Sequence, residues 1–179
     1  MNISETELAG AYVVELEQLG DERGFFARTF DAEAFAAAGL DARVVQASTS
    51  FNARAGTLRG MHYQQAPHGE AKLVRVTRGA VFDVIVDLRA DSPSFRRWYG
   101  RELDAASGVS LYVPVGFAHG FQTLVDESEV LYMMSHPYMP AAARGVRFDD
   151  PAFAIDWPAP PPGGRVVSPR DRDFADFDG

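Results

Sequence analysis

Ala80-Val81-Phe82-Asp83-Val84-Ile85-Val86-Asp87-Leu88 is the stretch from which the fold class of this chain is read. Alternate residues of a strand share a face. Val81, Asp83, Ile85 and Asp87 therefore lie on one side, and Phe82, Val84, Val86 and Leu88 on the other. One face is wholly apolar, and the second carries two carboxylates among its hydrophobes. Such a run, rich in β-branched residues, reads as a strand. Similar runs recur on either side of it, at Tyr12–Leu16, Ala71–Thr77 and Val109–Val113. Only one stretch reads as a good helix: Asp31 caps Ala32–Ala38, and Gly39 is placed to stop it. Many closely spaced strands without alternating long helices predict an all-β sandwich, jelly roll or barrel, not a parallel α/β sheet.

No internal repeat or heptad pattern is present. Pro158–Gly164 is Pro- and Gly-rich and reads as an extended connector to a C-terminal tail, residues 165–179, within a single domain spanning 1–179. With 179 residues, 46% of them hydrophobic and 23% charged, the chain is long enough to bury a substantial core. Its net charge of −8 argues against a nucleic-acid partner, which demands a clustered cationic surface. The absence of cysteine excludes disulfides and thiolate chemistry and fits a reducing cytoplasm. Residues 1–10 have neither a basic n-region nor an apolar core, so no signal peptide is expected, and no segment is long and apolar enough to predict a membrane span.

The densest chemistry lies in Gly56–Gln64. Strict alternation puts Leu58, Gly60, His62 and Gln64 on one face and Arg59, Met61 and Tyr63 on the other, and a bulge at Gly60 would let Arg59 and His62 converge. A second segment, Pro114-Val115-Gly116-Phe117-Ala118-His119, resembles the second motif of the cupins. Metal-binding cupins add a His-x-His pair and a Glu; here that pair is His62-Tyr63-Gln64, with Glu70 farther on. Two histidines and one distant carboxylate make a poor first shell, so neither metal nor cofactor is expected. Without metal, His62 can serve as a general base if a carboxylate fixes its tautomer. Asp83, Asp87 and Asp171 are all candidates, and the residues alone leave the three open. Tyr132 is a candidate acid, and Lys72, Arg59 and Arg23 are cations able to hold an enolate or phosphate oxygen. No Walker loop or dinucleotide fingerprint is present, so side chains must hold any phosphate.

Taken in order, these segments resemble the dTDP-4-dehydrorhamnose 3,5-epimerase family. The resemblance rests on Asp21–Phe26, Leu58–Gln64, Lys72–Val76, Phe82–Arg89, Gly116–Phe121, Tyr132 with Tyr138-Met139-Pro140, Ile155–Pro158 and Ser168–Asp171. It implies a double-stranded β-helix, the cupin-type jelly roll, with a few short helices and no metal, and a homodimer acting on a nucleotide-diphosphate 4-keto sugar. It further implies that His62 is the base, polarised by Asp171, and that Tyr132 is the acid on the opposite face of the sugar. Lys72, Arg59 and His119 match residues around sugar and phosphate, Arg23 matches a nucleotide-side contact, and Tyr138 matches an aromatic that stacks on the base.

Four positions depart from the family pattern. Arg28 replaces a Glu, Gln46-Ala47-Ser48 replaces Gln-x-Asn, Ala143 replaces a Glu, and Arg170 replaces the Lys before the tail Asp. They concern mainly the nucleotide side, so the expectation is retained proton chemistry with a changed nucleotide or sugar. Gln46, Ser48 and Arg170 are accordingly expected to line the substrate site. A sugar-nucleotide binder without activity and a metal-dependent cupin are the alternatives from other classes.

Overall fold

The computed structural model describes residues 1–178, which form fourteen strands and two short helices. One sheet runs β1 (Asn2–Glu5), β2 (Tyr12–Glu15), β10 (Ser110–Val113), β7 (Lys72–Arg78), β12 (Ser128–Met134) and β5 (Gln46–Asn52). The other runs β13 (Ala143–Gly145), β6 (Thr57–Gln64), β11 (Phe117–Thr123), β8 (Ala80–Asp87) and β9 (Trp98–Asp104). Neighbours are antiparallel, except that β14 (Val166–Val167) lies parallel to β6. β3 (Leu19–Asp21) and β4 (Gly24–Phe26) form a separate hairpin. Long non-sequential pairings such as β2 with β10 and β5 with β12 close the two sheets over one another as a cupin-type jelly roll, the expected fold class.

The interior is filled from both sheets by Val13, Val74, Val76, Leu111 and Val130 on one side and Val81, Ile85, Phe117 and Phe121 on the other. The β8 stretch is buried on both faces. Its carboxylate face looks inward, since Asp83 and Asp87 alternate with core residues Val81 and Ile85. Its apolar face looks outward, where Val84 and Val86 pack under Met61, Val146 and Phe153. Residues 146–157 thus cover the second sheet, and each buried aliphatic side chain there contributes about 2 kcal/mol.

Helix α1 (Ala32–Ala37) starts where expected: the Asp31 carboxylate accepts from the amides of Glu33 and Ala34. Gly39 follows it with φ +74°, a conformation glycine adopts without steric cost. The helix sets Phe35 against Tyr112 on the outer face of the first sheet. Residues 158–164 carry no helix or strand and are tied down by Arg165, which donates to Gln122 Oε1 (2.6 Å) and to the Pro158 carbonyl (2.8 Å). Beyond them lies the second short helix, α2 (Pro169–Arg172), capped by Ser168 with proline in its first turn.

Candidate active site

The site begins with a fault in β6. His62 lies opposite His119 on β11, yet Arg59 lies opposite Phe121, so three steps on β6 match two on β11. This extra residue is a bulge. It overturns strict alternation: Arg59 and His62 share the inner face, while Met61 turns outward into the second sheet's covering cluster. Gly60 makes the close approach possible, because a β-carbon there would lie 2.6 Å from Gly120 Cα and 2.8 Å from the His119 carbonyl oxygen. Its φ of +126° is likewise a glycine conformation.

Two histidine–carboxylate pairs result. His62 Nε2 donates to Asp171 Oδ1 at 2.8 Å, and Asp171 Oδ2 accepts from the Gly60 amide at 3.2 Å. His119 Nε2 donates to Asp83 Oδ2 at 2.9 Å. Of the three candidate partners for His62, the structure therefore brings Asp171; Asp83 belongs to His119, and Asp87 to Arg89, Ser92 and Ser94. Asp171 reaches His62 because α2 holds it there, its amide donating to Ser168 Oγ at 3.1 Å. Burial works to raise the Asp171 carboxyl, but hydrogen bonding and charge from His62, with the Gly60 amide and Ser168, hold it below the usual carboxylate range. An ionised carboxylate on Nε2 leaves the lone pair of His62 on Nδ1.

The facing sheet supplies the rest. Tyr132 pairs with Val74 and Ser48, and Met134 with Lys72 and Gln46. Because Val74 and Val130 point into the barrel, Tyr132, Lys72, Ser48 and Gln46 share that inner face. The Tyr132 ring meets the His119 ring edge-on at 5.8 Å. Burial first, and then the negative charge of Asp83, push the Tyr132 phenol well above its ordinary value, with Arg59 pulling weakly the other way. Tyr132 is thus a protonated donor at any physiological pH.

A cavity of about 180 Å³ opens beside His62, lined also by Lys72, Tyr138, Ala143 and Arg170. A second hollow meets it at His62 and includes Arg59, Ser168 and Asp171. Gln46 Oε1 accepts from the Tyr138 amide at 2.7 Å, which fixes the loop carrying that exposed ring. Arg59, Lys72 and Arg170 thus set positive charge around this cavity in an otherwise acidic chain. Among the described residues no group of three or more His, Cys, Asp or Glu is arranged to hold a metal ion.

Two positions are not brought together with the others. Arg23 sits at the tip of the β3–β4 hairpin, its side chain 83% exposed and, among the described residues, bonded only to Asp21. Arg28 pairs with Asp31 at the start of α1. Conversely, sequence reasoning missed Phe174, whose ring lies edge-on to His62 at 5.9 Å and beneath the Arg170 guanidinium. It also weighed Glu70 only as a metal ligand, whereas Glu70 bonds Lys72.

The cupin-like jelly roll thus sets a carboxylate-bound imidazole and a lysine at one cavity, with the half-buried Tyr132 phenol on the facing sheet, and its relatives make it a carbohydrate epimerase. Comparison with known proteins narrows the class. The chain belongs to the dTDP-4-dehydrorhamnose 3,5-epimerase family, whose model matches residues 5–178. It is 42% identical to the dTDP-4-dehydrorhamnose 3,5-epimerase of Methanothermobacter thermautotrophicus, over 94% of this chain and 90% of the relative. It is 41% identical to a dTDP-4-dehydrorhamnose 3-epimerase of Streptomyces niveus, over 97% of this chain and 82% of the relative. The crystal structure of the Bacillus anthracis 3,5-epimerase with TDP and PPi bound superposes with a TM-score of 0.93 at 39% identity, covering 98% of this chain and 99% of that one. No helix among the described residues is long and apolar enough to cross a membrane.

Proposed function

We propose that this chain inverts C3, C5 or both in a nucleotide-linked 4-keto-6-deoxy sugar, with His62 as base and Tyr132 as acid. The ketone at C4 acidifies the protons on its flanking carbons. His62 Nδ1 takes one of these protons, the electron pair moves into an enolate at O4, and the Tyr132 phenol delivers a proton to the other face of the carbon. Asp171 stabilises the imidazolium so formed, and Lys72 stabilises the enolate oxygen. Solvent reprotonates the Tyr132 phenolate and takes the abstracted proton from the His62 imidazolium, which restores both groups.

The observation that carries this reading is the origin of the two groups on facing sheets, His62 on β6 and Tyr132 on β12. A sugar between them meets the base on one side and the acid on the other, as inversion requires. Arg59 and Arg170 are assigned to the diphosphate and Tyr138 to stacking on the base, with Gln46 and Ser48 on the nucleotide side. Ser48, Ala143 and Arg170 are where the nucleotide or sugar preference departs from that of the family. The reading includes a homodimer in the cytoplasm. The β3–β4 hairpin exposes Leu19, Phe25 and Phe26 at 57–68%, which a second copy would cover, and Arg23 at its tip then acts outside its own subunit's cavity.

Incubation with a nucleotide-linked 4-keto-6-deoxy sugar in deuterium oxide tests the proposal. Deuterium is expected at the inverted carbon or carbons, at a rate far above the uncatalysed exchange. Tight binding with no exchange across a panel of such sugars would instead mark a binding protein and refute the catalytic reading.

A further inference from the structure

We infer that Glu70 is a positioning residue for proton transfer: its carboxylate holds the Lys72 ammonium, and Gln64 locks that carboxylate to the loop that carries Tyr138. The inference rests on the role proposed above for Lys72. Lys72 Nζ lies 3.2 Å from Glu70 Oε1, with side-chain exposures of only 12% and 10%. Glu70 is held in turn, since its Oε2 accepts from Gln64 Nε2 at 3.1 Å. Gln64 is itself buried, 5% exposed, and uses its whole amide. The two protons of Nε2 are shared among Glu70 and the carbonyls of His68 (3.0 Å) and Pro137 (3.2 Å), while Oε1 accepts from the Met139 amide at 2.6 Å. One amide therefore joins β6, the β6–β7 connection and the 137–139 segment.

Among the described residues, Glu70 is the one carboxylate lining the cavity that also contains Lys72 and Arg170. Negative charge there opposes an anionic ligand, so its presence calls for a compensating job. A lysine ends a flexible four-carbon stem, and an enolate is stabilised only by donors already in place. An ammonium has three protons. Giving one to Glu70 fixes the head of Lys72 and leaves two for a sugar oxygen. Gln64 transmits the same constraint to Tyr138, so the sugar end and the nucleotide end of the cavity share a single anchor.

Steady-state kinetics on Glu70→Ala, Glu70→Gln, Lys72→Ala and the Glu70→Ala/Lys72→Ala pair test this. Glu70→Ala should lower kcat by about tenfold with KM changed less than about threefold, because a misplaced donor weakens the transition state more than the ground state. Glu70→Gln should recover most of that loss, since its amide oxygen still accepts from Lys72. In the Lys72→Ala background the second substitution should cost less than about twofold, the non-additivity expected of residues that act as a unit. Unchanged or raised kcat in Glu70→Ala, or a full further tenfold loss on top of Lys72→Ala, overturns the inference. Wild-type kcat in Lys72→Ala alone refutes the role of Lys72 itself, a separate failure.

Discussion

His62 and His119 are cross-strand neighbours, each giving Nε2 to an aspartate at nearly the same distance, 2.8 and 2.9 Å, yet they occupy different environments. The His62 side chain is 39% exposed at the cavity, whereas His119 and Asp83 are 4% and 0% exposed. A base must pick up and release protons, which requires contact with substrate and solvent. His119 lacks that access and is packed edge-on against Tyr132. In the proposed mechanism the same chemical pair is a proton carrier at the mouth of the barrel and a fixed wall inside it.

Substitutions can break this contrast or sharpen it. Replacing His62 by Ala should lower kcat by roughly 10³-fold with little change in unfolding free energy. His119→Ala should do the reverse in emphasis, costing about 3 kcal/mol in denaturant unfolding because it strands the buried Asp83 charge. Asp171→Asn should lower kcat by about 10²-fold in the same assay through the wrong tautomer of His62, and also lower the denaturation midpoint, because the fold stabilises the carboxylate it removes. The smallest effect falls on a third buried aspartate, away from both histidines. Burial tends to raise the Asp87 carboxyl, but Arg89, Ser92 and Ser94 bring it down to about 2. Its folded-state value is depressed, so its stabilisation of about 2 kcal/mol is present above the unfolded value near 4 and is lost as pH falls toward 2. Asp87→Asn should flatten that part of the acid limb in a pH series of thermal melts.

The alternation of residues 81–88 made the strand legible, but not which face points inward. That depended on residues 146–157 covering the apolar face, a partner some sixty positions away. Gly60 hinted at the bulge, since a β-carbon is sterically forbidden there. β5 left little signal: Gln46–Asn52 is an edge strand, mostly exposed, with the polar Gln46 and Ser48 on its inner face, so no hydrophobic period marks it. The pairing of His62 with Asp171 spans 109 residues and depends on a four-residue helix. Ser168-Pro169 is a capping signature that announces α2, but nothing local says that its aspartate meets β6. The family resemblance implied that partner where the residues had left three choices.

Proton exchange in deuterium oxide, followed by NMR separately for His62→Ala and Tyr132→Phe, tests the division of labour most directly. A base on one sheet and an acid on the other predict that His62→Ala abolishes deuterium uptake at the carbons flanking C4. Tyr132→Phe should retain uptake, because His62 can return a solvent-derived proton to its own face, while inversion is strongly reduced. Wild-type exchange in His62→Ala, or undiminished inversion in Tyr132→Phe, would contradict the account.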